Sequence, residues 1–358
     1  MRAPGRPRPC TLQAVELGEF DYDLPPPAIA QAPAESRDAA RLLMIDRAGR
    51  RFTDHVFADL PDLLWPGDCV VVNNSRVIPA RVLARDAAGR PVELLFAEPE
   101  SERRWRALVR PGRRCPPGAE LVAGDEPGCR LRVVGVADDG LRIVERADGS
   151  IDELLDAYGL PPLPTYIVRH AKPDAEDRAR YQTVYARPPG SIAAPTAGLH
   201  FTAAVLDRLR QRRIEVHELT LHVGPATFRP IKTRRVEDHV LPPERVSIGA
   251  GVAEAVNTAK AEGRRIVAVG TTTTRALEGA AEAHGRVRPR EGAVDLYITP
   301  GHPFRVIDAL LTNFHLPRSS LLVLVAAFAG RELIMESYRH AIAAGYRFYS
   351  YGDATLMV

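Results

Sequence analysis

The pattern of apolar and polar positions changes character along the chain. The stiff stretch Asp21-Tyr-Asp-Leu-Pro-Pro-Pro27 leads into Arg41–Asp46, whose apolar run predicts a strand. From about Leu60 to Ser150 short β-like runs are broken by turn residues. They are Cys69-Val-Val-Val-Asn73, Pro91-Val-Glu-Leu-Leu-Phe96, Arg104-Trp-Arg-Ala-Leu-Val109 and Leu131-Arg-Val-Val-Gly-Val136. Asp138-Asp-Gly140 then turns the chain into Leu141–Glu145, a hairpin signature. No long helical pattern separates these runs, which predicts a small barrel.

After Pro161 helical and strand patterns alternate. Val205–Arg213, Gly251–Gly263, Arg275–His284 and Glu332–Ala344 read as helices, and Ser319 or Ser320 is placed to cap an apolar helix reaching Phe328. Ile214–His222 and Arg265–Gly270 read as strands, with Tyr346–Tyr351 as the closing one. The predicted fold class is α/β: a layered α/β main domain, residues 19–59 and 151–358, with an inserted small β-barrel domain, 60–150. Residues 1–18, rich in Pro and Arg, are expected to form a mobile extension.

Composition narrows the class. A hydrophobic fraction of 45% and a charged fraction of 26% belong to a globular chain, and 358 residues favour two domains. Cys10, Cys69, Cys115 and Cys129 form no CxxC pair, as expected of a reducing cytoplasm. The longest apolar run, Leu321–Ala329, falls far short of the roughly 20 residues a membrane span needs. A cytoplasmic protein without a membrane partner, and a monomer, is expected.

Four segments carry candidate chemistry. Ala193-Ala-Pro-Thr-Ala-Gly-Leu-His-Phe201 sets Thr196, Gly198 and His200 close together, although a tight connector with a capping threonine explains it as well. Leu221-His-Val-Gly-Pro-Ala-Thr-Phe228 places His222 at a strand's carboxyl end, where α/β sheets bind ligands; a structural histidine is the plain alternative. Val269-Gly-Thr-Thr-Thr-Thr-Arg275 is a strand, glycine turn and helix start suited to an anion, or else simply capped by Thr273 or Thr274. Asp308–Ser320 brings Asn313 and His315 to a strand end, and Tyr349-Ser-Tyr-Gly-Asp353 supplies a carboxylate that a pocket shared with His315 would use.

The histidines have neither HxxxH nor HExxH spacing, so no metal is expected. Arg103, Arg104, Arg106, Arg110, Arg113 and Arg114 surround Trp105, and a second basic run covers Arg208–Arg213 and Arg229–Arg235. Such clusters neutralise phosphates, with an aromatic available to stack on a base, and solvated protein faces also produce them.

In this order the motifs closely resemble the S-adenosylmethionine:tRNA ribosyltransferase-isomerase family of queuosine biosynthesis. The resemblance runs from about Phe20 to the C-terminus. It includes Phe20-Asp-Tyr-Asp-Leu-Pro, Asn73-Asn-Ser-Arg-Val-Ile-Pro-Ala-Arg81, Tyr181-Gln-Thr-Val-Tyr185 and Leu311-Thr-Asn-Phe-His-Leu-Pro317 beside the four segments above. Departures are Pro225 and Ala226 in the LHVG segment, and Pro242 or Pro243 where the family carries a second histidine after Asp238-His239.

The resemblance implies transfer and isomerisation of the ribosyl moiety of S-adenosylmethionine onto 7-aminomethyl-7-deazaguanine at a tRNA wobble position, releasing adenine and methionine. S-adenosylmethionine is then a co-substrate, and no true cofactor is implied. His200, His222, His315 and Asp353 become the acid/base candidates. Thr196, Gly198, Phe201, Gly224, Thr227, Gly270, Thr271, Thr272, Arg275, Asn313 and Tyr351 become substrate-binding candidates, with Phe228 and Phe314 as further stacking rings. Arg76, Arg81, Arg103, Arg104 and Arg106 become candidates for tRNA phosphates. A non-catalytic tRNA-binding module and a metal-dependent hydrolase are the competing classes.

Overall fold

The computed structural model describes residues 15–124, 128–169, 175–224 and 231–358. The chain starts its main sheet with the antiparallel pair β1 (Arg41–Asp46) and β2 (Arg51–Val56), then passes the short helix α1 (Leu60–Leu63) into β3 (Cys69–Asn73). β3 is buried along its whole length. It is a central strand of the main sheet, not the first barrel strand that its place among the short β runs predicts. Cys69 and Val71 face one apolar layer, Val70 and Val72 the other. Two-sided burial of this kind is what turns a parallel strand into a continuous apolar run.

After the two-residue strand β4 (Arg76–Val77) the chain enters the barrel. Its strands are β5 (Arg81–Asp86), β6 (Pro91–Pro99), β7 (Arg104–Arg110), β8 (Glu120–Ala123), β9 (Cys129–Val136) and β10 (Arg142–Arg146). They close in the ring order β10-β7-β6-β5-β8-β9. Val82, Leu94, Phe96, Leu131 and Val144 fill the interior, and helix α2 (Ile151–Tyr158) packs Ile151, Leu154 and Leu155 onto it. The insertion therefore runs from about Arg81 to Tyr158, later at both ends than 60–150.

The chain returns through α3 (Ala175–Arg180) and β11 (Pro189–Ser191), which pairs with β4. It then forms α4 (Ala203–Gln211), β12 (Glu215–Leu221), β13 (Glu244–Ile248), α5 (Ala250–Ala261), β14 (Ile266–Val269) and α6 (Thr271–Gly279). β15 (Arg290–Val294), β16 (Ala309–Asn313), α7 (Ser320–Ala329), α8 (Arg331–Ala343) and β17 (Ala354–Met357) complete it. The main sheet has nine strands in the order β15-β13-β12-β3-β14-β16-β17-β1-β2. β12, β3, β14 and β16 run parallel, so their carboxyl ends share one rim. Helices α5 to α8 cover one face; α1 and α4 cover the other.

Several expectations are corrected. Val15 and Glu16 pair with the segment around Arg235 and Leu17 is buried, so the described end of residues 1–18 is packed; residues 1–14 lie outside the described residues. The helix predicted over Arg275–His284 begins at Thr271 and ends at Gly279. Thr273 and Thr274 do not cap it: their hydroxyls donate back to the carbonyls of Val269 and Gly270, as interior threonines do. Ser319, rather than Ser320, caps α7, accepting the Leu322 N–H at 3.2 Å. Tyr346–Tyr351 is not a strand. Tyr349 has φ 78°, a left-handed backbone that breaks any ladder, and the closing strand is Ala354–Met357.

Candidate active site

The shared rim holds a cavity of about 250 Å³, beside the point where β3 leads toward the barrel. Of the sequence-predicted residues, Thr196, Gly270, Thr271, Thr272, Arg275, Asn313, Phe314 and His315 line it. The cavity wall also includes Tyr166, Glu244, Tyr297 and Tyr349.

The scaffold behind this wall is built from side-chain amides. Asn73 accepts the Leu221 N–H at 3.0 Å and donates to the Leu221 carbonyl at 2.9 Å, joining β3 to the end of β12. Gln182 makes the same two-way contact with Val77, at 3.0 and 2.7 Å, and ties the return chain to β4. Ser191 donates to Ser75 at 2.7 Å and accepts the Val223 N–H at 3.0 Å. Satisfied buried networks of this kind fix geometry.

At the middle of the rim, Gly270 caps α6 with φ 89° and no side-chain cap. The N–H groups of the first turn are therefore free of a capping side chain where Thr271 and Thr272 line the cavity. Arg275, one turn further on, is 7% exposed. Its Nε donates to the Leu296 carbonyl at 2.9 Å and its Nη1 to Glu244, while Nη2 has no partner among the described residues. Glu244 also accepts the Gly224 N–H at 3.0 Å.

Asn313, at the end of β16, is 2% exposed, and its Oδ1 has no partner among the described residues. His315 Nε2 lies 3.1 Å from Thr312 Oγ1, and burial pushes its imidazole down to about 3. The Tyr338 hydroxyl accepts the His315 N–H, and the Tyr22 hydroxyl donates to the His315 carbonyl. Of the four acid/base candidates, His315 alone lines the cavity.

The other three lie elsewhere. His200 sits behind Asn313, against Phe57, and burial followed by the charge of Arg347 lowers its imidazole to about 4. His222 packs against Gly190, where a Cβ would come within 2.8 Å of Nδ1; burial, then Arg245, lowers it to about 4. The neighbouring Val223 lines the cavity in its place. Asp353 is 2% exposed and accepts backbone N–H groups from Arg41 at 3.0 Å and Arg347 at 2.8 Å, so it shares no pocket with His315.

Gly198, Phe201, Gly224 and Tyr351 stand outside the lining as well. Phe201 is core, edge-on to Phe57 and Tyr185. Tyr351 packs edge-on to Tyr181, and burial raises its phenol to about 12. Thr227 and Phe228 lie outside the described residues.

Sequence reading missed Glu244, Tyr166 and Tyr349. Glu244 had a signal, since it closes the Asp238-His-Val-Leu-Pro-Pro-Glu244 segment in which the family resemblance departs at Pro242 or Pro243. The tyrosines had none, because the left-handed backbone of Tyr349 and its ring contact with Tyr166 both depend on tertiary contacts.

The barrel departs from expectation too. Trp105 is 7% exposed and packs edge-on to Phe96 inside the barrel, so it offers no ring to a base. Arg104 pairs with Glu145, Arg106 with Glu98 and Glu100, and Arg103 donates to the Arg146 and Ala147 carbonyls. Arg81, opening the first barrel strand, pairs with Glu93 at 2.7 Å, and Arg76 is exposed. Among the described residues no group of three His, Cys, Asp or Glu side chains is placed to hold a metal ion, and no helix is long and apolar enough to cross a membrane.

A split α/β domain, a barrel inserted at its cavity-bearing rim and a cavity walled by hydroxyls, an amide and a buried ion pair define an α/β protein with a rim pocket suited to a polar ligand. The comparisons give the particular family. The profile described as "Queuosine biosynthesis protein" matches residues 17–357, and the chain belongs to that family. A protein of Thermus thermophilus, named S-adenosylmethionine:tRNA ribosyltransferase-isomerase, is 52% identical over 349 residues, covering 96% of this chain and 99% of that protein. One of the same name from Moorella thermoacetica is 49% identical over 347 residues, covering 96% and 100%. The crystal structure of S-adenosylmethionine tRNA ribosyltransferase from Thermotoga maritima is 36% identical, covers 95% of this chain and 100% of that one, and superposes with a TM-score of 0.54.

Proposed function

We propose that this chain is an S-adenosylmethionine:tRNA ribosyltransferase-isomerase. It moves the ribosyl group of S-adenosylmethionine onto 7-aminomethyl-7-deazaguanine at the wobble position, forming epoxyqueuosine and releasing adenine and methionine. The observation that carries this reading is the rim cavity, where residues from all four motif segments meet in a chain that matches the family along nearly its whole length.

The chemistry suits the wall. A sulfonium acidifies the adjacent C5′ hydrogens, so a neutral base close by is able to take one. His315 alone of the four acid/base candidates lines the cavity, which makes it the leading candidate for that proton. Thr271, Thr272 and Arg275 take the anionic end of the donor, the methionine carboxylate, at the start of α6. Tyr166 and Tyr349, with ring centroids 3.9 Å apart, offer an aromatic wall for a nucleobase. Thr196 and Asn313 supply polar contacts to the nucleoside.

The acceptor base leaves the anticodon-loop stack to enter the cavity, at less cost than leaving a duplex. Arg76 and Arg81, where the chain passes from sheet to barrel, and Arg103, Arg104 and Arg106 on the barrel take RNA phosphates. S-adenosylmethionine serves as co-substrate, with no cofactor beside it, and the reaction belongs in the cytoplasm with its tRNA. The test is incubation of purified chain with S-adenosylmethionine and tRNA carrying the aminomethyl base. Nucleoside mass spectrometry should show epoxyqueuosine with stoichiometric adenine; unchanged tRNA without adenine would overturn the assignment.

A further inference from the structure

The carboxylate of Glu244 is unexplained by that assignment. It lines the cavity, its side chain is 6% exposed, and it is held from two sides, by Arg275 Nη1 and the Gly224 N–H. Those contacts use two of its roughly four lone-pair directions. Arg275 has its own unused valence, Nη2, on a side chain 9% exposed.

Such a buried pair is close to neutral from outside, and so attracts a lone anion or a lone cation only weakly. A zwitterion is different. Its carboxylate meets the spare guanidinium N–H and the uncapped turn of α6, and its ammonium meets the spare oxygen lone pairs of the glutamate. Four alternating charges result, each desolvated charge having opposite neighbours, which is the condition under which buried ions repay their dehydration.

We infer that Arg275, Glu244 and the first turn of α6 form a receptor for an α-amino-acid group, with Glu244 binding the α-ammonium. Resting on the proposed activity, this group is the methionyl end of S-adenosylmethionine. The receptor therefore reads both charges of the donor's tail, not only its carboxylate.

The test compares S-adenosylmethionine with sulfonium analogues lacking either the α-ammonium or the α-carboxylate, with aminomethyl-tRNA saturating and adenine release as the readout. In the unaltered protein each deletion should lower kcat/KM by about tenfold or more, the scale of one charge-assisted hydrogen bond. Glu244→Gln should act poorly on S-adenosylmethionine yet treat the des-ammonium analogue within about threefold of it, while still discriminating against the des-carboxy analogue. Arg275→Lys should show the opposite selectivity. Glu244→Asp, which keeps the charge, should retain part of the discrimination and guards against a variant that merely unfolds. Equal turnover of the des-ammonium analogue by the unaltered protein, or undiminished discrimination in Glu244→Gln, overturns the receptor while leaving the proposed activity standing. No adenine from S-adenosylmethionine itself would remove both.

Discussion

Asn313 donates through Nδ2 to His200 Nε2 at 3.1 Å and to the Tyr349 carbonyl at 3.2 Å. A carbonyl only accepts, so the second bond fixes which end of the amide is NH2. His200 Nε2 must then be the acceptor, which requires the neutral ring that burial enforces. The outcome is an amide whose Oδ1 is left for the cavity and a left-handed Tyr349 tied down by its carbonyl. His200 is thus a positioning residue. His200→Ala should lower kcat/KM by about tenfold, the scale of one buried hydrogen bond, without moving the acidic limb of the pH–rate profile. Loss or displacement of that limb would return His200 to proton transfer.

Burial also links these rings to acid stability. His200 and His315 have folded values of about 4 and about 3 against an ordinary 6.5. Between those limits the unfolded chain binds more protons than the folded one, so stability is complete above about 6.5 and falls as pH drops toward the folded values. Melting followed by circular dichroism should show a lower Tm at pH 5 than at pH 7.5. His200→Gln with His315→Gln should flatten that slope; an unchanged slope would mean that other groups govern acid unfolding.

Asp353 illustrates how a motif residue can be structural. Its carboxylate receives the N–H groups of Arg41 and Arg347, holding the start of β1 against the turn before β17. Asp353→Ala should cost about 2–4 kcal/mol of stability, from two buried donors left without an acceptor. Turnover per folded molecule should change little at a temperature where the variant is folded. Denaturant melts beside active-site titration would show this, and a catalytic loss at full stability would restore Asp353 as an acid/base group.

Gly198 belongs to the same group. A Cβ there would lie 2.1 Å from the Tyr185 hydroxyl oxygen and 2.8 Å from Thr183 Cγ2. Gly198→Ala should destabilise by about 1–3 kcal/mol through overpacking. An unaltered Tm would show that Tyr185 yields freely.

These cases mark what the sequence disclosed. The strand end before Gly270 was legible, because the apolar run Ile266–Val269 followed by a glycine punctuates the chain locally, whereas the helix after it was placed at Arg275 and starts at Thr271. The placement of Asn313 and Gly270 on one rim followed from parallel topology. Which side of a strand end faces the cavity was not legible. His222 and Val223 are neighbours pointing apart, and only the register with β11 and β13 decides between them. β3 was misassigned because an apolar run suits a barrel and a parallel sheet equally well, and the arginine cluster because Glu145 reaches Arg104 only across strands.

That last pairing sharpens the expectation for tRNA. Arg104 and Arg106 each spend their charge on carboxylates at 2.9 Å, so the barrel face presents less net positive field than its arginines suggest. Arg76 is exposed on the strand that leads from sheet to barrel and has no carboxylate within ion-pair distance among the described residues. A phosphate contact that keeps a full charge releases more counterion than one already neutralised by its neighbours. Arg76→Glu should therefore weaken tRNA binding more than Arg104→Glu and reduce the salt slope of log Kd by about one. Arg103, Arg104 and Arg106 changed together to Glu should also weaken binding, because the reversal leaves Glu98, Glu100 and Glu145 unopposed. Filter binding across a salt series would measure both. Equal affinity for the Arg76 and Arg104 variants would mean that the RNA displaces the barrel's ion pairs when it docks.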